Sequence, residues 1–123
     1  QRGSGTRALV EELLREARLA PAALPGYSDE EFTHAAVAAT IAAGRADAGV
    51  GVRAAASRFG LGFVPLRSEV YWLAARGRTL ASPVLARLLE ALRAPAFGRL
   101  ARRLTGYDVS GAGAVVTLAA LRP

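Results

Sequence analysis

Two glycines and two hydroxyl residues, Gly3-Ser4-Gly5-Thr6, lie between Arg2 and Arg7 and lead directly into Ala8-Leu9-Val10-Glu11-Glu12-Leu13-Leu14, whose apolar residues recur at helical spacing. That pattern is a flexible turn feeding a helix N-terminus, where unpaired backbone N–H groups and the positive end of the helix dipole face outward. Several such donors, with the Ser4 and Thr6 hydroxyls, can converge on the oxygens of one anion. Arg7 can add a planar fork of charged donors. The same residues also read as an ordinary helix start, with Ser4 or Thr6 as cap and Gly3 and Gly5 shaping the turn.

Other chemistry is thinly represented. His34 is the only histidine and sits in an alanine-rich helical segment without metal-ligand spacing, so it reads as a packed residue. Ser4 lacks the context of a nucleophile elbow, and a chain with no lysine has no Walker loop. Glu11-Glu12 and Glu30-Glu31 are adjacent pairs that point to different helix faces, which suits surface and dipole roles rather than an acid/base couple. The absence of cysteine excludes disulfides and thiolate metal sites. No catalytic residue, metal site or cofactor is expected.

The chain has 123 residues, 52% hydrophobic, with a net charge of +6, and all 16 of its basic residues are arginines. Its length fits a single domain over 1–123. A basic balance suits nucleic acid or an anionic ligand. The arginines are scattered, however, with local groups only at Arg76/Arg78 and Arg99/Arg102/Arg103, and no stacking platform or helix-turn-helix accompanies them. Most read as solvated surface, and direct nucleic-acid binding is not expected. The alanine-rich run 35–43 is too short to cross a bilayer, and residues 1–3 do not resemble a signal peptide, so the expectation is a cytoplasmic chain without membrane contact.

The elements that must position the glycine-rich turn follow from periodicity. A first helix is expected over 6–19, with Leu9, Val10, Leu13, Leu14 and Ala17 on one face and a supportive Glu11–Arg15 pair on the other. Pro21 and Pro25-Gly26 stop it. Ser28 or Asp29 is expected to cap a second helix over 30–43, closed by Gly44. Its small side chains imply close neighbours on several sides.

Residues 46–52 read as a buried strand whose glycines imply close backbone approach to something, and 53–59 as a brief helix closed by Gly60. Further strands are expected at 62–66, at 69–75 with the only Trp, and at 114–118. Ser82-Pro83 opens another helix with Val84, Leu85, Leu88, Leu89 and Leu92 as its core face, Ala94-Pro95 breaks it, and Phe97, Leu100, Ala101 and Leu104 drive one more. Helices alternating with short strands give an α/β class with a short, mostly parallel sheet flanked by helices.

Three segments carry a resemblance: Arg2-Gly3-Ser4-Gly5-Thr6-Arg7; Gly26-Tyr27 leading into Glu31-Phe32-Thr33-His34-Ala35-Ala36-Val37-Ala38; and 44–52 continuing through Ala54-Ala55 to Gly62-Phe63-Val64-Pro65-Leu66. With Pro95-Ala96-Phe97 and Gly106-Tyr107-Asp108-Val109-Ser110, they resemble the type II periplasmic-binding-protein-like domain of the LysR-substrate-binding type. Such domains are appended to molybdopterin-biosynthesis proteins and helix-turn-helix regulators. The resemblance implies a two-lobed fold closing over a small ligand, an oxyanion such as molybdate or tungstate, with Ser4, Gly5 and Thr6 as ligand-binding candidates, then Arg7, and Thr33 in a second tier. Asp47 falls in the expected 46–52 strand, where a structural role is favoured, as buried strand-end carboxylates bond backbone N–H groups.

In the family that this chain resembles, the domain is about twice as long and carries the Arg-Gly-Ser-Gly-Thr-Arg motif near its middle, so the resemblance implies, as an expectation, the C-terminal portion of such a domain without its first lobe. Exposed apolar surface, and hence self-association or a parent domain as partner, is therefore expected. The expected function is a non-catalytic small-ligand-binding or sensing domain, associated with molybdenum cofactor biosynthesis or transcriptional regulation. The alternative is a structural or interaction module that binds no ligand.

Overall fold

The computed structural model describes residues 2–117 and 119. The chain divides into two compact units, Gln1–Pro65 and Leu66–Pro123. The first holds α1 (Gly5–Glu16), a 3-10 turn (Pro21–Ala23), α2 (His34–Ala42) and α3 (Arg53–Arg58). The second holds α4 (Gly77–Leu80), α5 (Pro83–Arg93) and α6 (Pro95–Ala101).

The expected α/β sheet is not there. No strand occurs among the described residues, and 46–52, 62–66, 69–75 and 114–117 run as irregular backbone; Leu118, the last residue of the fourth expected strand, lies outside them. A strand owes its ladder bonds to a partner, so β-prone residues alone do not hold one. No ladder pairing occurs among the described residues of these segments, and extended composition alone yields no sheet. The α4 turn lies between the expected elements and has no apolar periodicity to announce it.

Helix starts follow local chemistry. The Ser4 Oγ accepts the N–H of Arg7 at 3.2 Å, and Ser82 Oγ accepts that of Leu85 at 3.3 Å, in each case relieving one orphan donor of the first turn. Ala94 closes α5 and opens α6 at φ −66°, ψ 141°, the extended geometry that the following Pro95 ring imposes. α2 begins later than expected. Thr33, not Ser28 or Asp29, caps it, accepting Ala36 N–H at 3.0 Å. Glu31, outside the helix, instead accepts the Thr40 hydroxyl at 2.6 Å. α1 ends three residues early at Glu16, and Arg18 at φ 55° makes the left-handed closing turn with Leu19 N–H on Leu14 O at 2.9 Å.

Packing is local. In the first unit α2 packs on α3, and the 46–52 segment lies against α2. A Cβ on Gly49 would stand 2.6 Å from Val37 Cγ1 and 3.2 Å from Ile41 Cδ1. The glycine-implied close approach is real, though it is made by irregular chain rather than a strand. In the second unit α5 packs on α4 and α6.

Among the described residues only Ala38, Leu85 and Ala101 are buried hydrophobics. Of the expected α5 core face, Leu85 is inside while Val84 and Leu88 are exposed. Phe32 is exposed, and Asp47 is exposed in irregular backbone, so the buried strand-end role expected for it does not apply. No helix among the described residues is long and apolar enough to cross a membrane.

Candidate functional site

The glycine-rich turn opens on a cavity of about 590 Å³ lined by Arg2, Gly3, Ser4, Gly5, Arg7, Ala8, Glu11 and Tyr27. α1 supplies its floor because the Ser4 cap fixes where the helix begins. The first backbone donors, Gly5 N–H and Thr6 N–H, donate to none of the described residues, whereas Arg7 N–H donates to Ser4 Oγ and Ala8 N–H to Ser4 O. Two unspent N–H groups at the positive end of a helix are donors for an anion.

The side chains around that turn form a network. The Arg7 guanidinium stacks on the Tyr27 ring, 3.8 Å from Cζ to the centroid. It donates from Nη1 to Tyr27 O at 2.9 Å and from Nε to Glu11 Oε1 at 3.2 Å. The Tyr27 hydroxyl reaches the same Glu11 oxygen at 3.5 Å. Arg7 is thereby half-buried and pre-oriented, with Nη2 making no hydrogen bond to the described residues.

Arg2 ties the turn to the loop before α2: its N–H and Nε donate to the two Glu30 oxygens at 3.0 and 3.2 Å. The backbone N–H of Arg2 is the main reason the Glu30 carboxyl is held below the usual carboxylate range.

Of the expected ligand residues, Ser4, Gly5 and Arg7 line one cavity; Thr6 is not in its lining, though its backbone N–H lies in the same first turn of α1. Thr33 is not in the lining; its hydroxyl is used on Ala36 N–H. Glu11 and Tyr27 were not among the expected site residues. Arg7 lies four residues before Glu11 on the same helix face, so a sequence signal for that pair existed and pointed the other way along α1, to Arg15. Tyr27 reaches Arg7 by a loop return of 20 residues, which periodicity does not encode. Among the described residues no group of three or more His, Cys, Asp or Glu is placed to hold a metal ion.

Comparison with known proteins points to a binding domain. A family model described as a PBP superfamily domain matches residues 1–93. An uncharacterized protein in the ferredoxin 2Fe-2S gene 5'region of Clostridium pasteurianum is 33% identical over 114 residues, covering 89% of this chain and 97% of that protein. The uncharacterized protein YvgK of Bacillus subtilis (strain 168) is 31% identical over 116 residues, covering 94% of this chain. The chain spans 37% of the length of that second relative. No solved structure matches the chain significantly.

Proposed function

The chain belongs to the PBP superfamily domain family, and from that membership we propose that it is a non-catalytic small-ligand-binding domain that takes an oxyanion at the start of α1. The observation that carries the reading is the pair of unspent N–H groups, Gly5 and Thr6, beside the pre-oriented Arg7 Nη2. A tetrahedral oxyanion such as molybdate or tungstate offers oxygens to all three donors, with the Thr6 hydroxyl as a fourth. Thr33 serves the site indirectly, by fixing where α2 begins. A role in molybdenum cofactor biosynthesis or in transcriptional regulation would use this binding as its signal.

Glu11 works against the anion. Its carboxylate lines the same cavity and already neutralises one edge of Arg7. Ligand capture therefore needs an anion that competes with Glu11, which favours a doubly charged one.

The test is calorimetric titration of molybdate, tungstate, sulfate and phosphate at matched ionic strength into the wild-type chain and the Ser4→Ala/Thr6→Ala variant. The wild type should bind one of these, the double variant at least about tenfold more weakly, a loss of about 1.4 kcal/mol. Equal binding by both would remove the site.

A second reading is supported by a separate observation. Val70, Tyr71, Trp72 and Leu73 are 72%, 73%, 54% and 65% exposed, a run of large apolar side chains that water does not favour. An interaction module, with self-association through this run, accounts for it. Sedimentation of the wild type against Trp72→Ser distinguishes the two: an unchanged monomer would dismiss association.

A further inference from the structure

The second unit carries a cluster that the α1 site does not explain. A cavity of about 540 Å³, open to solvent, lies between the α5–α6 corner and the 109–112 segment. Arg93, Arg99, Arg102 and Ser110 line it, with Leu92 and Phe97 supplying apolar wall, and no carboxylate is in the lining.

Arg93 is a structural member. It donates from Nε and Nη2 to Gly113 O at 3.0 and 2.7 Å and so clamps the far wall to α5. The nearby Asp108 carboxylate is occupied by the Ser110 N–H at 2.9 Å. Arg99 and Arg102 lie three positions apart, on one face of α6 and its C-cap, and neither guanidinium makes a hydrogen bond or ion pair with the described residues. Like charges at that spacing repel. Helix-end dipoles favour a cation here but supply only about half a charge against two.

The wider charge distribution points the same way. Residues 1–65 hold seven arginines and seven acidic residues, while 66–123 hold nine arginines and three acidic ones, so the whole net charge of +6 falls in the second unit.

We propose that this cavity is a second anion site, selective for an organic phosphate whose apolar or aromatic body lies against Leu92 and Phe97 while its phosphate bridges Arg99 and Arg102. Guanidinium forks match phosphate oxygens bidentately; Ser110 lines the cavity but is turned to Asp108 through its N–H and side chain. Inorganic phosphate uses the forks without the wall, and a neutral phenol the wall without the forks. The site is independent of the α1 turn.

Phenyl phosphate is the probe, titrated calorimetrically into the full chain, with inorganic phosphate, phenol and a mixed-sequence DNA duplex as the other arms. Phenyl phosphate should bind at least about tenfold more tightly than either inorganic phosphate or phenol, and Arg99→Gln/Arg102→Gln should weaken it by about tenfold or more. Both side chains are exposed, so the variant's far-UV circular dichroism should match wild type. Ser4→Ala/Thr6→Ala should bind phenyl phosphate as wild type does, which separates failure here from failure at α1.

The proposal is overturned by undetectable phenyl phosphate binding, by equal binding in the arginine variant, or by loss in the Ser4/Thr6 variant. It is also overturned if the duplex displaces phenyl phosphate with a salt-steep affinity that depends on the same two arginines, since the cluster would then serve nucleic acid.

Discussion

The start of α1 and the end of α6 both gather arginines at a helix terminus, and they resolve the charge in opposite ways. At α1, where the dipole already favours anions, Arg2 is matched by Glu30 and Arg7 by Glu11 and the Tyr27 ring. At α6 the Arg99 and Arg102 guanidiniums, unpaired among the described residues, line a cavity that has no carboxylate in its lining. The difference separates two uses of arginine. A paired and stacked guanidinium is held in place, and the donors proposed for the ligand at α1 are two backbone N–H groups and the one Arg7 nitrogen left over, Nη2. An unpaired couple is a standing demand for an anion from outside. Net charge alone, spread over the chain, conceals that division.

The largest effect that probes this comparison is expected on the second-unit side. Gly113 has φ +79°, and a Cβ there would lie 2.7 Å from Arg93 Cγ and 3.3 Å from Leu89 O. Gly113→Ala should destabilise the 66–123 unit by about 2–3 kcal/mol, from left-handed strain and from the clash with the Arg93 side chain, whose clamp on Gly113 O must shift. Hydrogen exchange at α5 and α6 should accelerate while α1 and α2 amides hold; uniform acceleration would mean the units do not respond separately.

The first-unit counterpart is Gly49→Ala, where the new methyl must push Val37 aside. A loss of about 1–2 kcal/mol is expected, read from exchange in α2. A smaller change of opposite sign is expected from Arg18→Gly, since Arg18 holds φ 55° at the end of α1. Relief of that strain exceeds the added unfolded-state entropy, for a gain of roughly 0.5 kcal/mol in urea unfolding.

The smallest effect is a pH response confined to the Arg2–Glu30 tether. Because Glu30 titrates below its ordinary value of 4.5 in the folded chain, its contribution is complete above that value and is lost as pH falls through the lower, native one. The Arg2 amide should begin to exchange faster over that acid range, and Glu30→Gln should abolish the pH dependence.

Much of the helical frame was legible. Ser4, Ser82-Pro83 and Ala94-Pro95 act through contacts within three or four residues, and a linear reading captures such contacts. Residues 62–66 and 69–75 were misread because strand formation depends on a partner that β-branched and aromatic composition does not supply. The start of α2 was misplaced because Glu31, a good first-turn residue, is taken by Thr40 nine positions on. Around the α1 cavity, the grouping of Ser4, Gly5 and Arg7 was readable from a glycine-rich turn before a helix, whereas the Tyr27 stack depends on a loop closing over 20 residues. The 69–75 composition did announce an apolar segment; what it could not announce was that Tyr71 and Trp72 stay in water.

The most direct test of anion capture at α1 is a titration of molybdate or tungstate into the nitrogen-15-labelled chain, followed by amide shifts. Capture at the helix start predicts that the Gly5, Thr6 and Arg7 amides move together and saturably, and that Ser4→Ala/Thr6→Ala abolishes the movement while the α5 and α6 amides stay fixed. If those three amides remain still, or if the movement appears only around Arg99 and Arg102, the α1 turn is a cap and not a ligand site.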